Sequence, residues 1–180
     1  MNEDAPLRPD SPFLYSSSKV RAEQLVRAAG GADLETVVVR PRFVWVRGDT
    51  TLLPALTELI GSGRFRWIGG GRQLTDTTHV DNTVEGFWLG ATKAAGGIYF
   101  VTDGEPVVFR EFVTRMLETQ RVTPPDKSIP ERAAEAAAVA AEGAWRALRR
   151  PGAPPLTRFA VWLSSKECTI DTSRAERELA

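Results

Sequence analysis

Two residue types that carry much of enzyme chemistry are nearly missing from this chain, which has one cysteine, Cys168, and one histidine, His79. A lone cysteine excludes an internal disulfide and fits a reducing compartment. Cys168 reads as a half-buried, inert thiol. A lone histidine excludes a multi-histidine metal site, and a Ser-His-Asp triad would hang on one loop residue. No metal is expected, and His79 reads as a hydrogen-bonding residue at an element boundary. Net charge is lacking too. The 23 Lys and Arg balance the 23 Asp and Glu, which gives no electrostatic case for nucleic acid or an anionic membrane. No apolar run approaches the ~18 residues of a membrane span, and the first residues hold no signal-peptide core. A cytoplasmic setting is expected. Also missing is a Gly-rich turn after a first strand, where amides at a helix N-terminus would approach a pyrophosphate. Gly69-Gly70-Gly71 is not that motif, because 72–76 do not open a helix; it reads as a turn.

What is present reads as α/β. Three prolines by Pro12 make the first eleven residues an extended loop. A helix then runs from Tyr15 to Ala29, with Ala22, Leu25, Val26 and Ala29 at helical spacing and Gly30-Gly31 closing it. The β-branched run in 35–39 suits a parallel strand buried on both faces. Helix, short loop and parallel strand form half of a doubly wound unit. Arg40-Pro41 ends the ladder. A helix is expected over 50–61, then a short strand over 65–68 ending at the three glycines. A further helix is expected over about 81–94, with Asn82 and Glu85 as a capping box and Asp81 as the competing cap. Ile98 to Val101 is a buried strand, and 109–118 a helix with Phe109, Phe112, Val113 and Met116 on one face. The alanine-rich stretch 130–150 favours helix, with Trp145 and Leu148 as its larger apolar anchors. Asp171-Thr172-Ser173 caps a short helix, 174–179. Phe65, Trp67, Phe87 and Trp88 line an apolar pocket or simply pack a core.

Tyr15 and Lys19 are four apart, so their side chains lie one turn from each other on one helix face. A free phenol titrates near ~10 and Lys near ~10.4, and a close positive charge favours the phenolate. Such a tyrosine can pass a proton to or from a hydroxyl or carbonyl oxygen. The bland alternative is a surface lysine paired with Glu23, four residues on.

Taken in order, Tyr15-Ser16-Ser17-Ser18-Lys19, Arg40-Pro41-Arg42-Phe43-Val44-Trp45 and His79-Val80-Asp81-Asn82 resemble the extended short-chain dehydrogenase/reductase superfamily. Within it the combination is most similar to the 3β-hydroxysteroid dehydrogenase/isomerase family. The resemblance runs from about Pro12 to the end. It implies the C-terminal part of a Rossmann-like, NAD(P)-binding doubly wound fold plus the small substrate-binding lobe, with the Gly-rich N-terminal half absent. The chain is then one partial domain, 1–180. Residues 12–45 end the Rossmann-like part, and 46–180 are mostly substrate-lobe and C-terminal elements. Gly69-Gly71 would turn near the substrate side. Val46 stands where the family usually has Gly.

The resemblance makes Tyr15 the general acid/base and Lys19 its partner on the nicotinamide ribose, with Pro41, Phe43 and Val44 as further cofactor neighbours. NAD or NADP is implied. The activity implied is oxidation of a steroid-like or other apolar secondary alcohol, with hydride passing to the nicotinamide. The partner is an apolar small molecule, and a homodimer through the Tyr15 helix is common in the superfamily. One alternative is a nucleotide-sugar epimerase or dehydratase, for which Arg64, Arg66 and Arg72 would contact a diphosphate. The other is a truncated, non-catalytic remnant or binding protein. On either footing the 180 residues alone are expected to be inactive, with strands short of partners.

Overall fold

The structure, a computed structural model, describes residues 1–94 and 96–179. Helix α1 (Leu14–Ala29) leads to strand β1 (Val37–Pro41) and the short β2 (Val44–Trp45). Then come α2 (Leu52–Gly61), β3 (Trp67–Ile68), a 3₁₀ turn at Gly69–Gly71, β4 (Leu74–Thr75) and β5 (Thr78–His79). Helix α3 (Val80–Thr92), β6 (Gly97–Val101), β7 (Val107–Val108), α4 (Phe109–Glu118) and β8 (Ser128–Ile129) follow. The last elements are α5 (Glu131–Ala147), α6 (Arg158–Ser165) and α7 (Ser173–Leu179). The chain is α/β, as its periodicities imply. It divides into two compact units. One takes 1–47, 76–106 and the stretch from Cys168 onward; the other takes 48–75 and 107–167.

In the first unit β1 and β6 pair in parallel, with Val39 opposite Tyr99 and Arg40 opposite Phe100. The strands expected to lack partners therefore supply each other with one. Alternation sends Val37, Val39 and Val101 to one face and Val38, Arg40 and Phe100 to the other. Helix α3 covers the first face through its glycines. A Cβ on Gly86 would meet Val101 Cγ2 at 2.8 Å, and one on Gly90 would meet Val37 Cγ1 at 3.1 Å. Helix α1 belongs to the other face, where Arg40 holds Glu23 with contacts of 2.6 and 2.9 Å. Helices on both faces of a parallel pair make the doubly wound arrangement. β1 is only half-buried along its length, not fully buried as its valines suggest. Residues 1–11 contain turns and are tied down. The Met1 ammonium donates to Thr169 O at 2.7 Å, and Phe100 N donates to the buried Glu3 carboxylate at 3.0 Å.

In the second unit Phe109, Val113 and Leu117 are the buried stripe of α4. β3 pairs in parallel with β8, and β4 antiparallel with β7. Phe65 packs edge-on to Trp67, with ring centroids 4.8 Å apart, and both are buried. The expected anchors of α5 are wrong. Leu148 is exposed, and Trp145 is half-buried with its indole on Pro151 O at 3.2 Å. The buried contacts are Ala134 and Ala138 against Val161 and Ile68, because two small residues one turn apart let a neighbouring helix approach. All three glycines of the 3₁₀ turn have positive φ, and a Cβ on Gly71 would sit 2.9 Å from the Trp67 ring. A strand follows, not a helix, so this is a turn without phosphate-loop geometry.

Two glycine substitutions should move stability in opposite directions. Gly86→Leu must displace the stiff Val101 side chain and should cost about 1–3 kcal/mol. Gly143→Ala lies in α5 with no atom within 4 Å of the new methyl and should gain about 0.5–1 kcal/mol. Urea unfolding of the two variants checks both signs.

Candidate active site

Tyr15 and Lys19 sit on the first turns of α1, whose N-cap, Phe13, offers no side-chain acceptor. Tyr15 is 60% exposed. The Lys19 ammonium lies over the tyrosine ring, 5.8 Å from its centroid, so the pair forms as expected, with the cation above the π face. Glu23 does not hold Lys19. Among the ion pairs of the described residues its carboxylate meets Arg40 at 2.6 Å and Arg27 at 3.7 Å. A two-point guanidinium–carboxylate contact is a strong, oriented bond. It joins α1, two turns beyond Tyr15, to the C-terminal end of β1. The apolar stripe Ala22, Leu25, Val26 and Ala29 is exposed; Ser16, Ser17, Val20 and Glu23 are the shielded positions instead.

At that same end of β1 the chain turns through Pro41 to Val44. Phe43 takes φ of 49°, in the left-handed region, and its carbonyl accepts from Thr78 N at 3.4 Å. The Thr78 hydroxyl is fully buried. It accepts from Arg42 N at 3.0 Å and has Arg42 O at 2.8 Å and Val101 O at 2.9 Å for its one proton. The ends of β1 and β6 are thereby fastened together. Val46, the departure from the family's Gly, needs no special backbone: the positive φ values here belong to Phe43 and Gly48.

Asp103 was not visible as a site residue in the sequence, yet it organises this region. Its carboxylate accepts from His79 N at 2.6 Å, Trp45 Nε1 at 2.8 Å, Thr77 Oγ1 at 2.7 Å and Asn82 Nδ2 at 2.8 Å. Burial pushes its carboxyl up, but these four donors outweigh it and hold it below the ordinary 3.8. The only available signal was an Asp-Gly pair following a buried strand. Asn82 is therefore spent on Asp103 and does not build a capping box. The cap of α3 is His79, whose Nδ1 accepts from Asp81 N at 3.3 Å. The Trp45 ring meets the His79 ring edge-on, with centroids 4.5 Å apart. His79 is thus a structural hydrogen-bonding residue.

The four aromatic candidates separate. Phe65 and Trp67 are core, whereas Phe87 and Trp88 are exposed on α3 at 56% and 68%. Arg66 donates to the carbonyls of Gly63 and Phe65, at 2.9 and 2.6 Å, and Arg64 pairs with Glu58 at 3.6 Å. Among the described residues, no three His, Cys, Asp or Glu side chains group as metal ligands, and no helix is long and apolar enough to cross a membrane.

Asp103→Asn should destabilise the first unit by about 1–2 kcal/mol at neutral pH, the partial exposure of the group limiting the loss. Because the folded carboxyl titrates below its unfolded value, its contribution is present above that value and lost as pH falls through and below 3.8. The stability gap between wild type and Asp103→Asn should therefore close in acid. A gap independent of pH down to 2 would contradict this charge-based account.

Residues 1–130 match the 3-beta hydroxysteroid dehydrogenase/isomerase family. A relative from Stigmatella aurantiaca, named 4-hydroxy-2-methyl-3-oxo-4-farnesyl-3,4-dihydroquinoline-1-oxide ketoreductase, is 48% identical over 99% of this chain and 54% of its own length. A 2-alkyl-3-oxoalkanoate reductase from Stenotrophomonas maltophilia is 37% identical over 93% of this chain and 52% of its own. The chain thus spans about half the length of the curated relatives it matches. Among solved structures, a Streptomyces venezuelae dTDP-glucose 4,6-dehydratase with NAD bound superposes with a TM-score of 0.62. It shares 18% identity and covers 99% of this chain against 48% of its own, which supports the Rossmann-like fold alone. With the tyrosine–lysine helix, the parallel strand pair and the family match agreeing, the chain belongs to the 3-beta hydroxysteroid dehydrogenase/isomerase family.

Proposed function

We propose that this chain provides the proton-transfer half of an NAD(P)-dependent oxidoreductase that interconverts a ketone and a secondary alcohol on an apolar substrate. The observation that carries the reading is the Tyr15–Lys19 pair, an exposed phenol with an ammonium at its ring, on a helix anchored to the C-terminal end of a parallel strand. In open α/β sheets ligands bind outside those strand ends. The residues fit the nicotinamide end of a dinucleotide: Tyr15, Lys19 and the turn through Pro41, Phe43 and Val44 would border it. The pyrophosphate has no Gly-rich cradle among these 180 residues.

The bound dinucleotide would supply or accept the hydride. Tyr15 then gives its phenolic proton to the carbonyl oxygen as the alcohol forms, or takes it back in the oxidation. The Lys19 ammonium stabilises the negative charge that grows on the phenol oxygen as the proton leaves. Two relatives are named as reductases of ketones bearing farnesyl or alkyl groups, which supports an apolar 3-oxo substrate; a steroid-like alcohol falls within the same class. The nucleotide-sugar alternative draws on the fold neighbours, but Arg64 is paired with Glu58 of α2 and Arg66 with the carbonyls of Gly63 and Phe65.

The test is a chimera in which this chain replaces the matched segment of the Stigmatella ketoreductase. It should reduce apolar 3-oxo compounds with NADH or NADPH. Tyr15→Phe should lower kcat about 10²–10⁴-fold, the usual reach of general acid/base catalysis. Unchanged turnover in Tyr15→Phe, or turnover of nucleotide sugars alone, would overturn the reading.

A further inference from the structure

The C-terminal end of α5 gathers charge of one sign. Between Glu142 and Glu167 the chain carries Arg146, Arg149, Arg150, Arg158 and Lys166 and no carboxylate. Arg158 and Lys166 are committed to Glu142 and Glu131. Arg146, Arg149 and Arg150 are exposed and make no ion pair among the described residues. Arg150 lies over the Trp145 ring, 5.2 Å from its centroid. Set among these cations is Leu148, 64% exposed. The helix closes with Arg149 N on Arg146 O and Arg150 N on Trp145 O, both at 3.1 Å, and Arg149 takes φ of 49°. That is the place and conformation in which glycine is favoured. A backbone cost retained at an exposed arginine points to a use for its side chain outside the fold.

The opposite pattern lies in the first unit. Helices α3 and α7 wall a groove of about 270 Å³ whose apolar lining includes Leu89, Val101, Ala175 and Leu179. Glu85 stands on the α3 wall and Glu176 on the α7 wall, and no Lys or Arg lines the groove. Neither carboxylate meets a cation among the described residues. Glu176 accepts from the Thr172 hydroxyl at 2.7 Å. The volume falls below the ~300–1,000 Å³ of small-molecule sites and suits one or two side chains.

We infer that this groove receives the α5 tip of a second copy of the chain, with Leu148 on the apolar floor and Arg146 and Arg149 on Glu85 and Glu176. The two surfaces match in kind and in order. One presents base, leucine, base over 146–149; the other presents acid, apolar floor, acid from wall to wall. The unpaired cations are all arginine, whose fork meets a carboxylate at two points. Both halves of the complementarity are carried by one sequence, and its 23 basic and 23 acidic residues leave no overall repulsion between copies. A knob that fits a pocket elsewhere on the same molecule makes a head-to-tail contact. Such a contact is distinct from a two-fold pairing through the Tyr15 helix, and it does not rest on the functional reading.

The test is light scattering of the full chain over a range of concentrations, with circular dichroism to check that each variant folds. Association should rise with concentration and weaken with salt, because the rim charges face solvent. Leu148→Asp should weaken it at least tenfold. So should the pair Arg146→Glu with Arg149→Glu, and the pair Glu85→Arg with Glu176→Arg. The two charge-reversed proteins should each stay monomeric alone yet form a 1:1 complex when mixed, since each keeps the surface that the other has lost. Glu85→Arg alone serves for the groove if Glu176→Arg, which removes the Thr172 bond, disturbs α7. Arg149→Gly should raise the urea midpoint and weaken association together. The inference is overturned if the chain is monomeric at every concentration, or if its association ignores these substitutions, as a Tyr15-helix dimer would. It is also overturned if the reversed proteins keep the wild-type circular dichroism and fail to combine.

Discussion

The parallel pairing of β1 with β6 is the contact on which the first unit depends. It joins segments sixty residues apart, Val37 to Gly97 through Pro41 to Val101. Closing a loop of that length costs entropy before any contact is gained. Burial on both faces offsets the cost: α3 comes close through Gly86 and Gly90, and Phe100 and Tyr99 are buried. Arg40 adds a directional link. Its guanidinium lies over the Phe100 ring, 5.2 Å from the centroid, while its donors hold Glu23. One side chain thus ties together both strands and the helix that bears Tyr15.

The functional consequence is positional. A phenol and an ammonium on a free helix would sample many arrangements, and proton transfer needs the group within hydrogen-bond reach of its target. Here the helix is pinned at Glu23, the turn after β1 is fixed by the buried Thr78 hydroxyl, and Asp103 gathers Trp45, Thr77, His79 and Asn82 at the neighbouring strand ends. The polar groups buried in this region are satisfied by one another, which favours a single geometry.

Much of this was legible in the sequence. Helical spacing located α1, α2, α3 and α4, and the β-branched and aromatic runs located β1 and β6, because those signals depend on local periodicity. The order of short motifs led to the family. Harder to see were features set by partners remote in sequence. Asp103 looks like an ordinary turn residue until His79 and Trp45 are brought to it. Asn82 fits a capping box locally, but a better acceptor arrives from beyond β6. Ala134 and Ala138 are featureless helix formers until α6 packs on them, whereas Trp145 and Leu148 draw attention by size and contribute little burial. The stripe Ala22, Leu25, Val26 and Ala29 marks a real apolar face of α1, but the face tied to β1 includes Glu23. Periodicity shows that a helix has an apolar side without showing what covers it.

Among the described residues β1 is held by β6 along one edge and open along the other. Residue-resolved amide exchange on the isolated chain tests it most directly. The account predicts alternation along 37–40, with amides directed at β6 protected and the intervening ones exchanging at nearly the rate of unstructured chain. Uniform protection would mean that the second edge is already satisfied, and uniformly fast exchange would mean that the pairing with β6 does not hold the strand; either result would contradict the account.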